Sequence, residues 1–257
     1  MSPMRIATIA HNTIREAVRH KLLYAVLVVS VLMIFASVLI STLSYVEGTR
    51  IMQDFGFAAI RIFSAATAVF IGINLLHSEV DRRTIYTILS KPISRVEFLL
   101  GKYAGLVLTT WLMLAALGAI FLGVSLLAGA PVHAGHAAAM WLIAVELTIV
   151  VAIATFFSSI TTPMLAALFT SGLYVAGHLT QNLYHLAMAS DDAGVQRMAV
   201  WIYRVLPDLE LYNLTVQAVH GLAIPAGEIW LPVAYAALYT AILLMAASAL
   251  FARRDLR

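Results

Sequence analysis

Between Lys102 and Asp191 the chain runs for 88 residues with a single charged side chain, Glu146. A stretch of that length cannot be the inside of a water-soluble globule, because any fold would leave much of it facing solvent uncharged. Soluble domains carry about 25% charged residues; here the figure is 11%, and 62% of the residues are hydrophobic. The chain is therefore an integral membrane protein, and water-soluble enzyme folds are excluded. A helix crossing a bilayer needs about 20 mostly apolar residues. The uncharged stretch is too long for two such helices and suits three joined by tight turns.

Turn residues divide it. Gly129-Ala-Pro131-Val-His-Ala-Gly135 separates a span over 103–127 from one over 138–157, and Ser158-Ser-Ile-Thr-Thr-Pro163 separates that from a span over 164–183. Pro163 suits the first turn of a helix, where its missing N–H costs nothing. Upstream, 22–43 is free of charge and 57–77 is interrupted only by Arg61; downstream, 230–251 is the last candidate. The first run exceeds the apolar core of a signal peptide, about 15 residues at most, and is read as a retained span. The expectation is one all-α transmembrane domain over 1–257 with six spans and no internal repeat.

Lysine and arginine orient it. With the N-terminus inside, the inner segments hold Arg5, Arg15, Arg19, Lys21, Arg82, Arg83, Lys91, Arg95, Lys102, Arg253, Arg254 and Arg257, and the outer segments only Arg50, Arg197 and Arg204. Cytoplasmic loops carry the excess of basic residues, so both termini are expected in the cytoplasm. The net charge of +3 then reports membrane topology and no nucleic-acid partner.

Three segments outside the spans are informative. Over 4–20, Ile6, Ile9, Ala10, Thr13 and Ala17 recur at helical spacing opposite Arg5, Arg15, Glu16 and Arg19, the pattern of an amphipathic helix on the inner leaflet. The loop over 78–102 packs eight charges into 25 residues. Residues 81–89 can form two helical turns, stopped at Ser90-Lys91-Pro92. Ser94 and Glu97 then have the spacing of a capping box, with Ile93 and Phe98 at the positions of a hydrophobic staple. A linker between two spans could be far shorter; this one has the character of a segment held by a partner. In the outer segment, 184–229, Asp191 or Asp192 can cap a helix. On it Val195, Met198, Ala199, Ile202 and Leu206 share a face beside Trp201, and Pro207 ends it. Short helices dipping into the outer leaflet are expected there, as a gate or as a cap on the bundle.

The chemistry inventory is mostly exclusion. There is no cysteine, hence no disulfide, zinc ribbon or thiol nucleophile. No GxxxxGK[ST] loop is present, so this chain holds no ATP by that route. HExxH and GxSxG are missing, and with them the means of a membrane protease. His133 and His136 have metal-like spacing but make only two ligands; no metal or cofactor is expected on this chain. Arg61 and Glu146 are the two charges inside the spans. From the expected outer ends of their helices they lie about 6 Å and about 12 Å deep, in the same leaflet. An unpaired charge in lipid costs about 2.5–3.5 kcal/mol or more; an Arg61–Glu146 pair, within one copy or between two, avoids that cost, and the alternative is an arginine that snorkels outward alone with Glu146 protonated or facing a wet cavity.

Taken together, the basic N-terminal helix, the loop Glu79-Val-Asp81-Arg82-Arg83-Thr84-Ile85-Tyr86-Thr87-Ile88-Leu89-Ser90-Lys91-Pro92 leading into Arg95-Val-Glu97-Phe98 and Gly101-Lys102, the outer Leu206-Pro207-Asp208-Leu209-Glu210-Leu211-Tyr212-Asn213 and the terminal Arg253-Arg254-Asp255-Leu256 resemble a type-2 ABC export permease. The loop resembles the gliding-motility and copper-enzyme-maturation branch. The resemblance implies a membrane subunit that pairs with a second permease copy and with two separate ATPase subunits, which bind ATP and Mg. It also implies that the loop over 78–102 is the coupling helix, with ATPase contacts among Arg82, Arg83, Thr84, Tyr86, Thr87, Ser90, Lys91 and Pro92. The alternatives are a membrane scaffold that anchors an ATPase without transport and a self-contained carrier. The second lacks the paired, interrupted helices such carriers use.

Overall fold

The computed structural model describes residues 2–42, 47–81 and 94–253. These form α1 (Pro3–Val18), α2 (Lys21–Ser41), α3 (Gly48–Asp81), α4 (Arg95–Leu127), α5 (Ala134–Ile160), α6 (Pro163–Met188), α7 (Ala193–Val205), a 3₁₀ turn (Glu210–Tyr212), α8 (Thr215–His220) and α9 (Ala226–Arg253). No strand occurs among the described residues.

α5 is the hub. It packs against α3, α4, α6, α8 and α9, and Leu142, Ile149, Val150, Val151, Ala152 and Ala154 on it are fully enclosed. α2 and α9 lie outside and bury one face each. On α2, Leu23, Ser30, Ile34 and Ser37 face inward, whereas Tyr24, Val28, Leu32, Phe35 and Leu39 face out at three- and four-residue spacing. In water such a face would be prohibitive; in lipid it is the required surface, since the backbone is already satisfied within the helix.

Five described helices are long and apolar enough to cross a membrane: Lys21–Ser41, Gly48–Ile73, Arg95–Leu127, Ala134–Ile160 and Ala226–Leu250. α6 has 26 residues, enough in length, yet falls short in apolarity because His178, Thr180, Gln181, Asn182 and His185 crowd its second half. The helices also outrun the expected spans. The second begins at Gly48 rather than at 57, and the fourth runs over Ala134–Ile160 rather than 138–157; the third starts at Arg95, where the capping signals place the start of its helix. The fifth continues to Met188, past the expected end at 183. The early start of α3 has a tertiary cause: Met52 and Gln53 are buried, and Gln53 Nε2 donates to the Pro131 carbonyl at 3.0 Å in the turn between α4 and α5.

Local signals account for the helix ends. Ser94 caps α4 by accepting from the Glu97 N–H at 3.1 Å, while Glu97 accepts from the Ser94 N–H at 3.1 Å, so two otherwise orphaned donors are satisfied together. Asp192, not Asp191, caps α7 and accepts from the Gly194 N–H at 2.6 Å. Pro163 opens α6. Gly221 ends α8 in the left-handed conformation (φ 63°), which costs glycine nothing sterically.

The amphipathic α1 lies against protein. Its stripe, with Thr13 and Ala17 fully buried and Ala10 6% exposed, packs on α4 and not simply on the inner leaflet. The reason is a glycine track on α4. A Cβ at Gly101 would come within 2.7 Å of Ile9 Cβ, and one at Gly105 within 2.7 Å of the Ala10 carbonyl oxygen.

Candidate functional site

The interior charges meet at the centre of the bundle. Arg61 lies 13 residues beyond the start of α3 and Glu146 12 beyond the start of α5. Phe57, nine residues into α3, lies level with His136 near the start of α5, their ring centroids 5.6 Å apart. At about 1.5 Å per residue both charges sit about 18–20 Å along their helices. From the level of Phe57 and His136, Arg61 lies four residues on and Glu146 ten, about 6 Å and about 15 Å, and the long arginine side chain spans the difference. Arg61 Nε donates to Glu146 Oε2 at 2.9 Å, the arginine side chain 11% exposed and the glutamate 1%. A guanidinium bonded to a carboxylate spares both the cost of standing alone in a low dielectric.

A third group joins them that the residue pattern alone does not single out. His178 on α6 places Nε2 3.3 Å from Glu146 Oε1, and its Nδ1 lies 3.0 Å from the Tyr174 carbonyl oxygen. Its level along the bundle follows from the chain; its face does not. α5 and α6 form a tight hairpin about Thr162, and Glu146 and His178 each lie sixteen residues from that turn. Antiparallel helices of equal rise bring such residues level.

Arg61, Tyr174 and His178 line a groove of about 460 Å³ between α3, α6 and the outer segment. Its walls are otherwise largely apolar, with Phe57, Ile62, Val175, Leu179 and Val216, and with Asp54 and Asn213 as further polar groups. The outer segment closes over the bundle in two parts. α7 packs on α6 and turns its apolar side outward: Val195, Met198, Trp201 and Ile202 are all exposed, Met198 and Trp201 the most. Leu206 is half-buried and Pro207 buried. The next residues go inward. Leu209 and Tyr212 are fully buried, and Tyr212 donates its hydroxyl to the Pro232 carbonyl at 2.9 Å. Burial raises the Tyr212 phenol well above its ordinary pKa. Gly177 on α6 admits this strand of chain. The Leu209 N–H donates to its carbonyl at 3.1 Å, and a Cβ there would come within 2.8 Å of the Pro207 carbonyl oxygen.

The other end of α4 is tied down. Glu97 accepts from the Ser2 N–H at 2.8 Å and lies 3.9 Å from the Arg5 guanidinium. The buried Lys102 ammonium, 2% exposed, donates to Glu16 at 3.1 Å. The residues expected to contact an ATPase, Arg82, Arg83, Thr84, Tyr86, Thr87, Ser90, Lys91 and Pro92, lie outside the described residues, as does Ile93 of the expected staple. His133 and His136 serve a helix start: the His133 N–H donates to His136 Nδ1 at 3.2 Å. Among the described residues no group of three His, Cys, Asp or Glu side chains is placed to hold a metal.

No curated protein matches the chain. The sequence profile described as ABC-2 family transporter protein matches residues 7–256. That match covers nearly the whole chain and agrees with the long apolar helices. The chain is a multi-pass membrane protein and belongs to the ABC-2 transporter family, as a membrane subunit of an ABC transporter.

Proposed function

We propose that the chain is the permease of an ATP-driven exporter in a bacterial inner membrane, working as a dimer with two separate ATPase subunits that supply ATP and Mg. In this reading α6 is the fifth of six crossings and both termini face the cytoplasm. The segment over 78–102 is the coupling element, and Val195, Met198, Trp201, Ile202, Leu206 and Pro207 form the outer gate. The observation that carries the reading is the fastening of α1 to the first turns of α4 by Ser2, Arg5 and Glu97 and by Glu16 and Lys102. The charge-dense segment leads straight into this point. A force delivered there by a partner moves α1 and α4 as one body, and α4 carries it to α5.

The test is co-purification with the ATPase. Arg82→Glu combined with Arg83→Glu should abolish the association and leave membrane insertion intact, because insertion depends on the apolar runs. Normal assembly of that double variant overturns the coupling assignment. A scaffold without transport would keep its ATPase bound through every nucleotide state with no change in the spans.

A further inference from the structure

The hydrogen positions at His178 are dictated by its neighbours. Nδ1 lies 3.0 Å from the Tyr174 carbonyl oxygen, which can only accept, so Nδ1 carries a proton. In a neutral ring Nε2 is then a bare lone pair, and it points at Glu146 Oε1 across 3.3 Å. Both atoms are shut off from solvent, and neither has another hydrogen-bond partner among the described residues. The other carboxylate oxygen is already taken by Arg61 Nε at 2.9 Å. Two lone pairs facing each other inside a membrane protein repel; one proton between them turns the contact into a bond, whichever atom carries it.

We propose that Glu146 and His178, with Arg61 behind them, form a binding site for one proton that latches α6 onto α3 and α5. Taking up the proton forms one N–H or O–H bond and changes the cluster from neutral to singly positive; releasing it returns the proton to water in the groove that His178 lines. The charged and titratable groups facing the pair are Arg61, Tyr174 of α6 with its hydroxyl beside the Glu146 carboxylate, Asp54 of α3 further along the groove, and Glu210 and Tyr212 of the 3₁₀ turn, with Asp208 just before it. Asp54 faces His220 of α8. Tyr203 of α7 is engaged with Asp208, as is Gln181 of α6. Without the proton α6 is left in the bundle by apolar packing and by its bonds to Asp208 and Leu209, and the groove can open along it.

The site exists whether or not the chain exports anything, so its test is spectroscopic. The whole protein in lipid bilayers is labelled with ¹⁵N-histidine and ¹³C-glutamate, and magnetic-resonance spectra are recorded between about pH 5 and 9, spanning an ordinary imidazole's titration. The nitrogen–carboxylate contact itself picks out the pair, so no variant has to fold. The expected result is a protonated Nδ1, with Nε2 protonated or hydrogen-bonded to a protonated carboxyl at low pH, and loss of the contact as pH rises. A neutral ring bearing its proton on Nε2 at low pH overturns the proposal, and so does a contact that persists unchanged after Nε2 and Oε1 have both lost their protons.

Discussion

An arginine at 2.9 Å from a glutamate that is 1% exposed creates an asymmetry that mutation can read. Removing one partner strands the other charge, at a cost of about 3–5 kcal/mol, whereas replacing both with apolar side chains is often close to neutral. Arg61→Leu and Glu146→Leu should therefore each destabilise the detergent-solubilised protein by about 3–5 kcal/mol, and the double variant by clearly less than their sum. Unfolding midpoints of the four proteins measure this, and additive losses would show that the pair is not coupled. Arg61 and Glu146 were legible as a pair from their signs and positions in the chain. Where α3 begins was not, because the residues from Gly48 to Gly56 precede the apolar run and Gln53 is held by the distant turn at Pro131.

Among the elements, α1 and α4 show how far small residues decide packing. Gly105 faces Thr13 and the Ala10 carbonyl so closely that a Cβ would fall within 2.6 Å of Thr13 Cβ. Gly105→Val should push α1 off α4, lower stability by about 1–3 kcal/mol, and speed proteolysis beside Arg15 and Arg19. Gly123 on the same helix has nothing within 4 Å; Gly123→Ala should leave α1 in place and stabilise α4 slightly through helix propensity. Equal effects at the two glycines would refute the close contact. The amphipathic stripe of α1 was plain in its spacing. What it packs against was not, since the same stripe fits a lipid surface or a glycine track.

At the scale of the molecule the number of crossings turns on the path of α6. Its polar second half keeps it below the apolarity of the other long helices, yet His178 in that half and Tyr174 one turn before it have polar or charged neighbours inside the bundle. A helix whose His178, Thr180 and Gln181 are turned toward protein, whose exposed Asn182 and His185 lie in its last two turns, and whose exposed face carries Met164, Leu168, Val175, Leu179 and Leu186 can cross lipid. A topology reporter fused after Thr162 should therefore be active on the cytoplasmic side, and one fused after Ser190 on the outer side. The same side for both would remove the sixth crossing and reverse the orientation of everything after α6.

Composition and charge pattern alone determined that this chain lies in a membrane as a set of long helices, because burial in lipid requires uncharged runs and helices satisfy their own backbone. Short-range signals did the same for local ends: the capping box at Ser94 and Glu97, the Asp192 cap and the proline at the start of α6 act within one turn, so they are written in neighbouring residues. The placement of α1 on α4, the burial of Met52 and Gln53 and the arrival of His178 at the Arg61–Glu146 pair came only with the tertiary structure. Each depends on which face of one helix meets another distant in the chain, and an apolar or small-residue face carries no mark of its partner.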